Sequence, residues 1–185
     1  MGSERGEANQ GSEERRPRGC GRPAGRGLEL SKLKCIATNV DSLLNKRAEF
    51  AHILVNNNPD ILLISEILPK NFDKKSVNKA ELSFAHLGYD CFTNCFSDNV
   101  HLGVAIYVKS SLKAQAVTLN EEQCKARESI WAEVKLMGGD KLLIGCVYRP
   151  PSNTKQDNDE LYKTILSLIE GKSHVLIGGI LTKMT

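Results

Sequence analysis

The sequence predicts an α/β (α+β) fold, and three observations predict it. Residues Pro59 to Glu66 read P-D-I-L-L-I-S-E, a short apolar run bounded by a turn former and a charge, the pattern of a strand buried on both faces. Residues 41–58 and 157–171 carry apolar side chains at helical spacing, the pattern of helices with one inner face. Ile130, Ala132, Val134 and Leu136 alternate with Trp131, Glu133 and Lys135, the period of two that marks a strand. A carboxylate where a buried strand emerges places Glu66 at the rim of the core, where α/β proteins keep their chemistry.

The 185 residues suffice for one domain with a sizeable core. Residues 1–28 are dominated by Gly, Arg, Glu and Ser and are expected to form a disordered tail, because they bury too little apolar surface to offset ordering entropy. Six arginines against four glutamates give this tail +2 of the chain's +3, so the body, residues 29–185, is close to neutral and its charge names no partner. An Arg/Gly segment of this kind binds nucleic acid by charge and stacking, although a solvated tail is the commoner case. No apolar run reaches the roughly 20 residues that span a bilayer, and the first residues lack the apolar stretch of a signal peptide. The expectation is a soluble, intracellular protein without a membrane partner. The six scattered cysteines (Cys20, Cys35, Cys91, Cys95, Cys124, Cys146) read as small buried thiols rather than a disulfide framework.

Leu33 to Val40 is β-leaning and predicts the first strand. A helix over Asp41 to Asn58 follows, with Leu44, Ala48, Ala51 and Val55 on one face and Asp41 or Ser42 as cap. Asn56-Asn57-Asn58-Pro59 stops it. With the strand Ile61 to Ser65 this makes a β-α-β unit of two parallel strands. Val77 to Leu87 predicts a short helix stopped by Gly88. Strands are predicted over Tyr89 to Phe96, Gly103 to Val108, Ala114 to Leu119, Ile130 to Leu136 and Leu142 to Tyr148, forming antiparallel sheet, with Gly138-Gly139-Asp140 closing a hairpin. Pro150 and Pro151 end the sheet. Asp157 to Gly171 predicts the clearest helix, its inner face Leu161, Ile165, Leu168 and Ile169 and its capping box Asp157 with Glu160. His174 to Ile177 opens a last buried strand.

Polar groups stand at three predicted strand ends: Asn39 with Asp41, Glu66, and Tyr148 with Arg149. Strand ends from distant parts of a chain are how such folds gather a site. By spacing alone each of these residues is equally well a cap, a turn former or a solvated strand end.

The ordered set N-V-D, P-D-I-L-L-I-S-E-I-L-P-K-N, G-V-A-I-Y-V-K, E-S-I-W-A-E-V and V-Y-R-P-P, followed by a closing apolar strand, resembles the endonuclease/exonuclease/phosphatase superfamily. It is most similar to the apurinic-endonuclease-type domain of non-LTR, jockey-like retrotransposons. The resemblance covers roughly Leu33 to Gly178, and its specificity lies in the order of the pieces. It implies a DNase-I-like, two-layer β-sandwich flanked by helices, a Mg²⁺-dependent phosphodiesterase acting on DNA. It further implies Asn39 positioning metal or phosphate, Asp41 close behind it, Glu66 as the metal carboxylate, and Tyr148 hydrogen-bonded to the scissile phosphate. Mg²⁺ is a hard ion that takes carboxylate and water oxygens and often keeps one or two protein ligands.

The pattern breaks after the last helix. The family's Gly-Asp-Phe-Asn supplies an aspartate that activates water and an asparagine that contacts phosphate; here the positions read Gly178-Gly179-Ile180-Leu181, and neither Gly179 nor Leu181 accepts a proton. The family's later Ser-Asp-His segment has no counterpart up to Thr185. The resemblance therefore implies a C-terminally truncated domain whose second half, and much of whose second layer, is missing. Its catalysis is expected to be lost, and its bare sheet edge is expected to invite self-association. A non-enzymatic DNA-binding module and a phosphatase of the same superfamily are the alternatives.

Overall fold

The apolar run Ile61 to Ser65 is a strand with every residue buried, and the rest of the chain is laid out around it. The structure, a computed structural model, describes residues 2, 32–70, 72, 84–94, 102–125 and 128–181; apart from Gly2, the tail expected over residues 1–28 lies outside them. In chain order the main elements are β1 (Cys35–Asn39), α1 (Arg47–Asn57), β2 (Ile61–Ser65), β3 (Tyr89–Thr93), β4 (Val104–Lys109), β5 (Gln115–Ala116), β6 (Ser129–Lys135), β7 (Lys141–Arg149), α2 (Lys155–Ile169) and β8 (His174–Leu181).

They form two four-stranded sheets, one in the order β1-β2-β4-β3 and the other β5-β6-β7-β8. β1 and β2 are parallel, with Cys35 opposite Ile61 and Asn39 opposite Ser65, as the β-α-β reading requires. β2, β4 and β3 pair antiparallel, as do β5, β6 and β7, and β8 joins β7 in parallel. The strands expected to form antiparallel sheet are divided between the layers, with β3 and β4 beside β2 and the others in the facing layer. The second layer, expected to be largely absent, is present as a sheet of four strands.

Alternation in the strands sorts side chains into three apolar layers. Leu62 and Ile64 of β2 with Ala105 and Tyr107 of β4 pack beneath Phe50 and Leu54 of α1. Ile61 and Leu63 face Ala132, Val134, Ile144 and Cys146 across the sandwich interior. On the far face of the second sheet, Trp131, Leu143 and Val147 lie under Leu161 and Leu168 of α2. The result is helix, sheet, sheet, helix.

Several local expectations are corrected. Asp41 and Ser42 do not cap α1: the N-cap is Lys46, without a side-chain bond. The amides of Ser42 and Leu43 instead donate to the carbonyls of Glu66 (2.8 Å) and Ile67 (3.0 Å), which ties this stretch to the end of β2 and delays the helix. Its inner face is accordingly Phe50 and Leu54, and Val55 is exposed. Asn58 closes α1 in the left-handed conformation at φ 42°, as its turn-forming character suggests. Of the helix expected over Val77 to Leu87, residues 77–83 lie outside the described residues, and 84–87 form a turn before β3. The capping box of α2 is Thr154 with Asp157, three residues earlier than expected. Among the described cysteines Cys146 is buried, whereas Cys35 and Cys124 are exposed. No helix among the described residues is long and apolar enough to cross a membrane.

Glu133 of β6 accepts from both Lys141 and Lys172 at 2.7 Å. These two hydrogen bonds, against a smaller opposing effect of burial, hold its carboxyl below the usual carboxylate range. A carboxyl lowered by folding contributes stability above its unfolded pKa and loses it as pH falls through the folded value. Glu133→Gln is therefore expected to cost about 1 kcal/mol at about pH 7, with the difference from the parent closing at an acid pH below the carboxyl's folded pKa. Urea unfolding of both proteins at the two pH values checks it.

At β8 the second sheet ends, among the described residues. Leu176 and Ile180 turn into the sandwich, and Val175 and Ile177 on the opposite face are 39% and 40% exposed. This is the edge at which self-association is expected.

Candidate functional site

The loop after β1 and the exit of β2 are held together by main-chain bonds. Val40 N donates to Ser65 O (3.2 Å) and Ser42 N to Glu66 O (2.8 Å). Three side-chain-bearing residues here adopt left-handed backbone: Asp41 (φ 43°), Ser42 (φ 77°) and Glu66 (φ 58°). For residues with a Cβ this conformation is costly and persists only where surrounding structure imposes it. The hydroxyls of Ser42 and Ser65 are buried at the same place without a hydrogen-bond partner among the described residues.

Asn39 ends β1 opposite Ser65, and its Oδ1 accepts from the Asp41 amide at 2.8 Å. Asp41 is exposed, and its carboxylate lies 3.8 Å from Lys46 Nζ. Glu66 follows Ser65 directly. Tyr148, 5% exposed, comes from the opposite sheet, and its phenol stands near the Glu66 carboxylate. Burial first, then Glu66 as acceptor and charge and the charge of Glu128, push the phenol well above its ordinary range, so it stays a donor. Of the residues singled out from the sequence, Glu66 and Tyr148 thus face each other across the sandwich, Asn39 sits beside them at the parallel strand end, and the Asp41 carboxylate turns to Lys46.

Gly179 and Leu181 lie on β8 opposite Val147 and Arg149. The backbone of Gly179 has φ 140°, and a Cβ built there would stand 1.8 Å from the carbonyl oxygen of Val147, far inside contact distance. The β8 residue opposite Tyr148 is Ile180.

Sequence reasoning missed Glu128. Its carboxylate is buried and accepts from the amides of Gly103 (3.0 Å) and Leu102 (3.4 Å). Its carbonyl accepts from Tyr148 N at 2.8 Å. The available signal was a carboxylate directly ahead of an apolar strand, the counterpart at a strand's entry of the exit position that singled out Glu66. A cavity of about 260 Å³ lies elsewhere, lined by Asn120, Gln123, Glu160 and Lys163 among others. It is on the α2 side of the second sheet and includes none of these site residues.

Neither a protein-family model nor a curated protein matches the sequence; the likeness is carried by three-dimensional structure. The chain is similar to AP endonuclease LMAP from Leishmania major (TM-score 0.59, 14% identity, covering 80% of this chain and 54% of that one). It is similar also to the endonuclease domain of TRAS1, a telomere-specific non-LTR retrotransposon (TM-score 0.54, 15% identity, 80% and 59%). A third likeness is to the 3'-5' exonuclease NExo from Neisseria meningitidis (TM-score 0.53, 20% identity, 80% and 57%). The chain therefore shares the DNase-I-like fold of these structures. It spans a little over half the length of these three structures.

Proposed function

We propose that this chain is a retrotransposon-derived nuclease domain that retains the metal- and phosphate-binding part of a Mg²⁺-dependent phosphodiesterase site and does not itself hydrolyse DNA. The observation that carries this reading is the placement of Glu66 at the exit of β2 and of Tyr148 on β7 of the opposite sheet, with the carboxylate near enough to raise the phenol. The sequence resemblance and the likeness to the TRAS1 endonuclease domain support the origin.

The side chains present fit Mg²⁺. Glu66 and Asn39 offer hard oxygen atoms, and the left-handed backbone at Glu66 fixes where its carboxylate emerges. Bound there, Mg²⁺ would supply Lewis-acid polarisation of a phosphoryl oxygen. When a phosphate binds, Tyr148, held protonated, would turn its single O–H from Glu66 to a phosphate oxygen, and Asn39 supports the strand end that presents both groups. What the site lacks is a proton acceptor from β8, where Gly179 and Leu181 stand. Loss of a general base lowers the rate by about 10²- to 10⁴-fold, or roughly 3 to 5.5 kcal/mol of barrier.

A nicking assay on plasmid and abasic DNA with Mg²⁺, run beside Mg²⁺ titration calorimetry, tests both halves of the reading. The expected result is Mg²⁺ binding that disappears in Glu66→Ala, with no nicking above that variant. Mg²⁺-dependent cleavage by the parent that is lost in Glu66→Ala would overturn the incompetence; equal Mg²⁺ binding by both proteins would overturn the site.

A further inference from the structure

Glu66 and Tyr148 belong to different sheets, so their contact depends on how far apart the sheets stand at this end of the sandwich. Apolar contacts between layers are non-directional and set that distance loosely. Besides the Cys146 thiol, which donates across to the Ile64 carbonyl at 3.4 Å, two polar side chains set it by directed bonds. Glu128, at the start of the second sheet, reaches across to the amides of Gly103 (3.0 Å) and Leu102 (3.4 Å) at the start of β4. The carbonyls of the same two residues receive the amides of Ile67 (3.4 Å) and Leu68 (2.8 Å), directly after Glu66. Through its own carbonyl Glu128 also holds Tyr148 N at 2.8 Å. One residue is therefore bonded toward both members of the pair.

Asn94, after β3, makes a second link. Its Oδ1 accepts from Val104 N (2.9 Å), within its own sheet, and its Nδ2 donates to Ser129 O (3.1 Å), in the opposite one. Ser129 is paired with Val147, the neighbour of Tyr148. Both links are directed, and Glu128 is buried, so its bonds to the amides are shielded from competing water.

We propose that Glu128 and Asn94 are positioning residues that fasten the two sheets together beneath the site and fix the gap bridged by Glu66 and Tyr148. The idea rests on the reading of that pair as the site. Both are bonded to the backbone beside the pair, and Glu128 adds its charge near the Tyr148 phenol.

The test is an NMR spectrum of protein labelled at the tyrosine ζ carbon, whose shift senses the hydrogen bond of the phenol, with Glu66→Gln marking the position of Tyr148 without its carboxylate partner. Glu128→Ala is expected to move the Tyr148 resonance toward that position, and Glu128→Gln, which keeps one acceptor, to restore part of the shift. Asn94→Asp keeps the bond from Val104 and loses the donation to Ser129, and is expected to give a smaller displacement. It also serves as the test should Glu128→Ala fail to fold. Leu161→Ala, destabilising from the far face of the second sheet, is expected to leave the resonance in place. In a parallel titration the Mg²⁺ affinity of Glu128→Ala is expected to fall at least about tenfold. Absence of Mg²⁺ binding by the parent overturns the proposed function, while the Tyr148 resonance still decides the positioning role. A Tyr148 resonance unmoved in both folded Glu128→Ala and Asn94→Asp overturns the present proposal.

Discussion

Gly179→Asp, which returns a carboxylate to β8, is expected to lower stability by about 3 kcal/mol or more and to restore no hydrolysis. The backbone at Gly179 has φ 140°, a conformation that side-chain-bearing residues rarely adopt, and a Cβ there would lie 1.8 Å from the Val147 carbonyl oxygen and 2.7 Å from its carbon. Those atoms belong to the ladder between β7 and β8 and cannot swing aside like the tip of a flexible side chain. Relief requires moving β8, and Gly178 leaves no slack, since its own Cβ position is 2.5 Å from Leu63 Cδ1 across the sandwich. The check is a urea midpoint for the variant together with the nicking assay. A variant as stable as the parent would refute the packing argument, and one that nicks DNA would refute the claim that this position is closed to repair.

Trp131→Ala is expected to cost about 3–5 kcal/mol, the range for emptying a large aromatic site. Trp131 is fully buried, its Nε1 donates to Ser129 Oγ at 3.3 Å, and its ring covers Gly145, the residue opposite it on β7. The fit is close enough that a Cβ on Gly145 would stand 2.3 Å from Trp131 Cζ3. Because Leu161 and Leu168 of α2 rest on the same cluster, amide exchange in α2 is expected to rise further than exchange in β2. Denaturant unfolding and residue-resolved hydrogen exchange measure the two effects. Uniform loss of protection across both sheets would show that α2 is not held chiefly by this ring.

Much of this was legible in the sequence, for identifiable reasons. β2 could be read because four adjacent apolar residues admit few other structures, and α2 because Leu161 and Leu168 recur at the helical period. Glu66 and Tyr148 were visible as polar groups at strand ends. Their contact was not, because alternation tells which face a residue takes and not which strand lies opposite. For the same reason β3 and β4 could not be separated from β5 to β7. Trp131 could be placed on the face away from Ala132, but only the chain path shows that α2 covers that face. The start of α1 was misread because the amides of Ser42 and Leu43 are engaged by residues more than twenty positions away, and no local preference encodes that. Glu128 went unnoticed because its partners are main-chain amides, which leave no side-chain signature.

Each sheet is drawn from one continuous stretch of chain, residues 35–109 for the first and 115–181 for the second. During synthesis the first sheet can therefore pair its strands and receive α1 while nothing yet exists to cover Ile61, Leu63, Ile106 and Val108, which face the sandwich interior. At roughly 5–20 residues per second the ribosome needs about 4–14 s to deliver the second sheet. For that interval the nascent chain carries a β-surface with a bare apolar side, the kind of surface that transient exposure makes prone to aggregation.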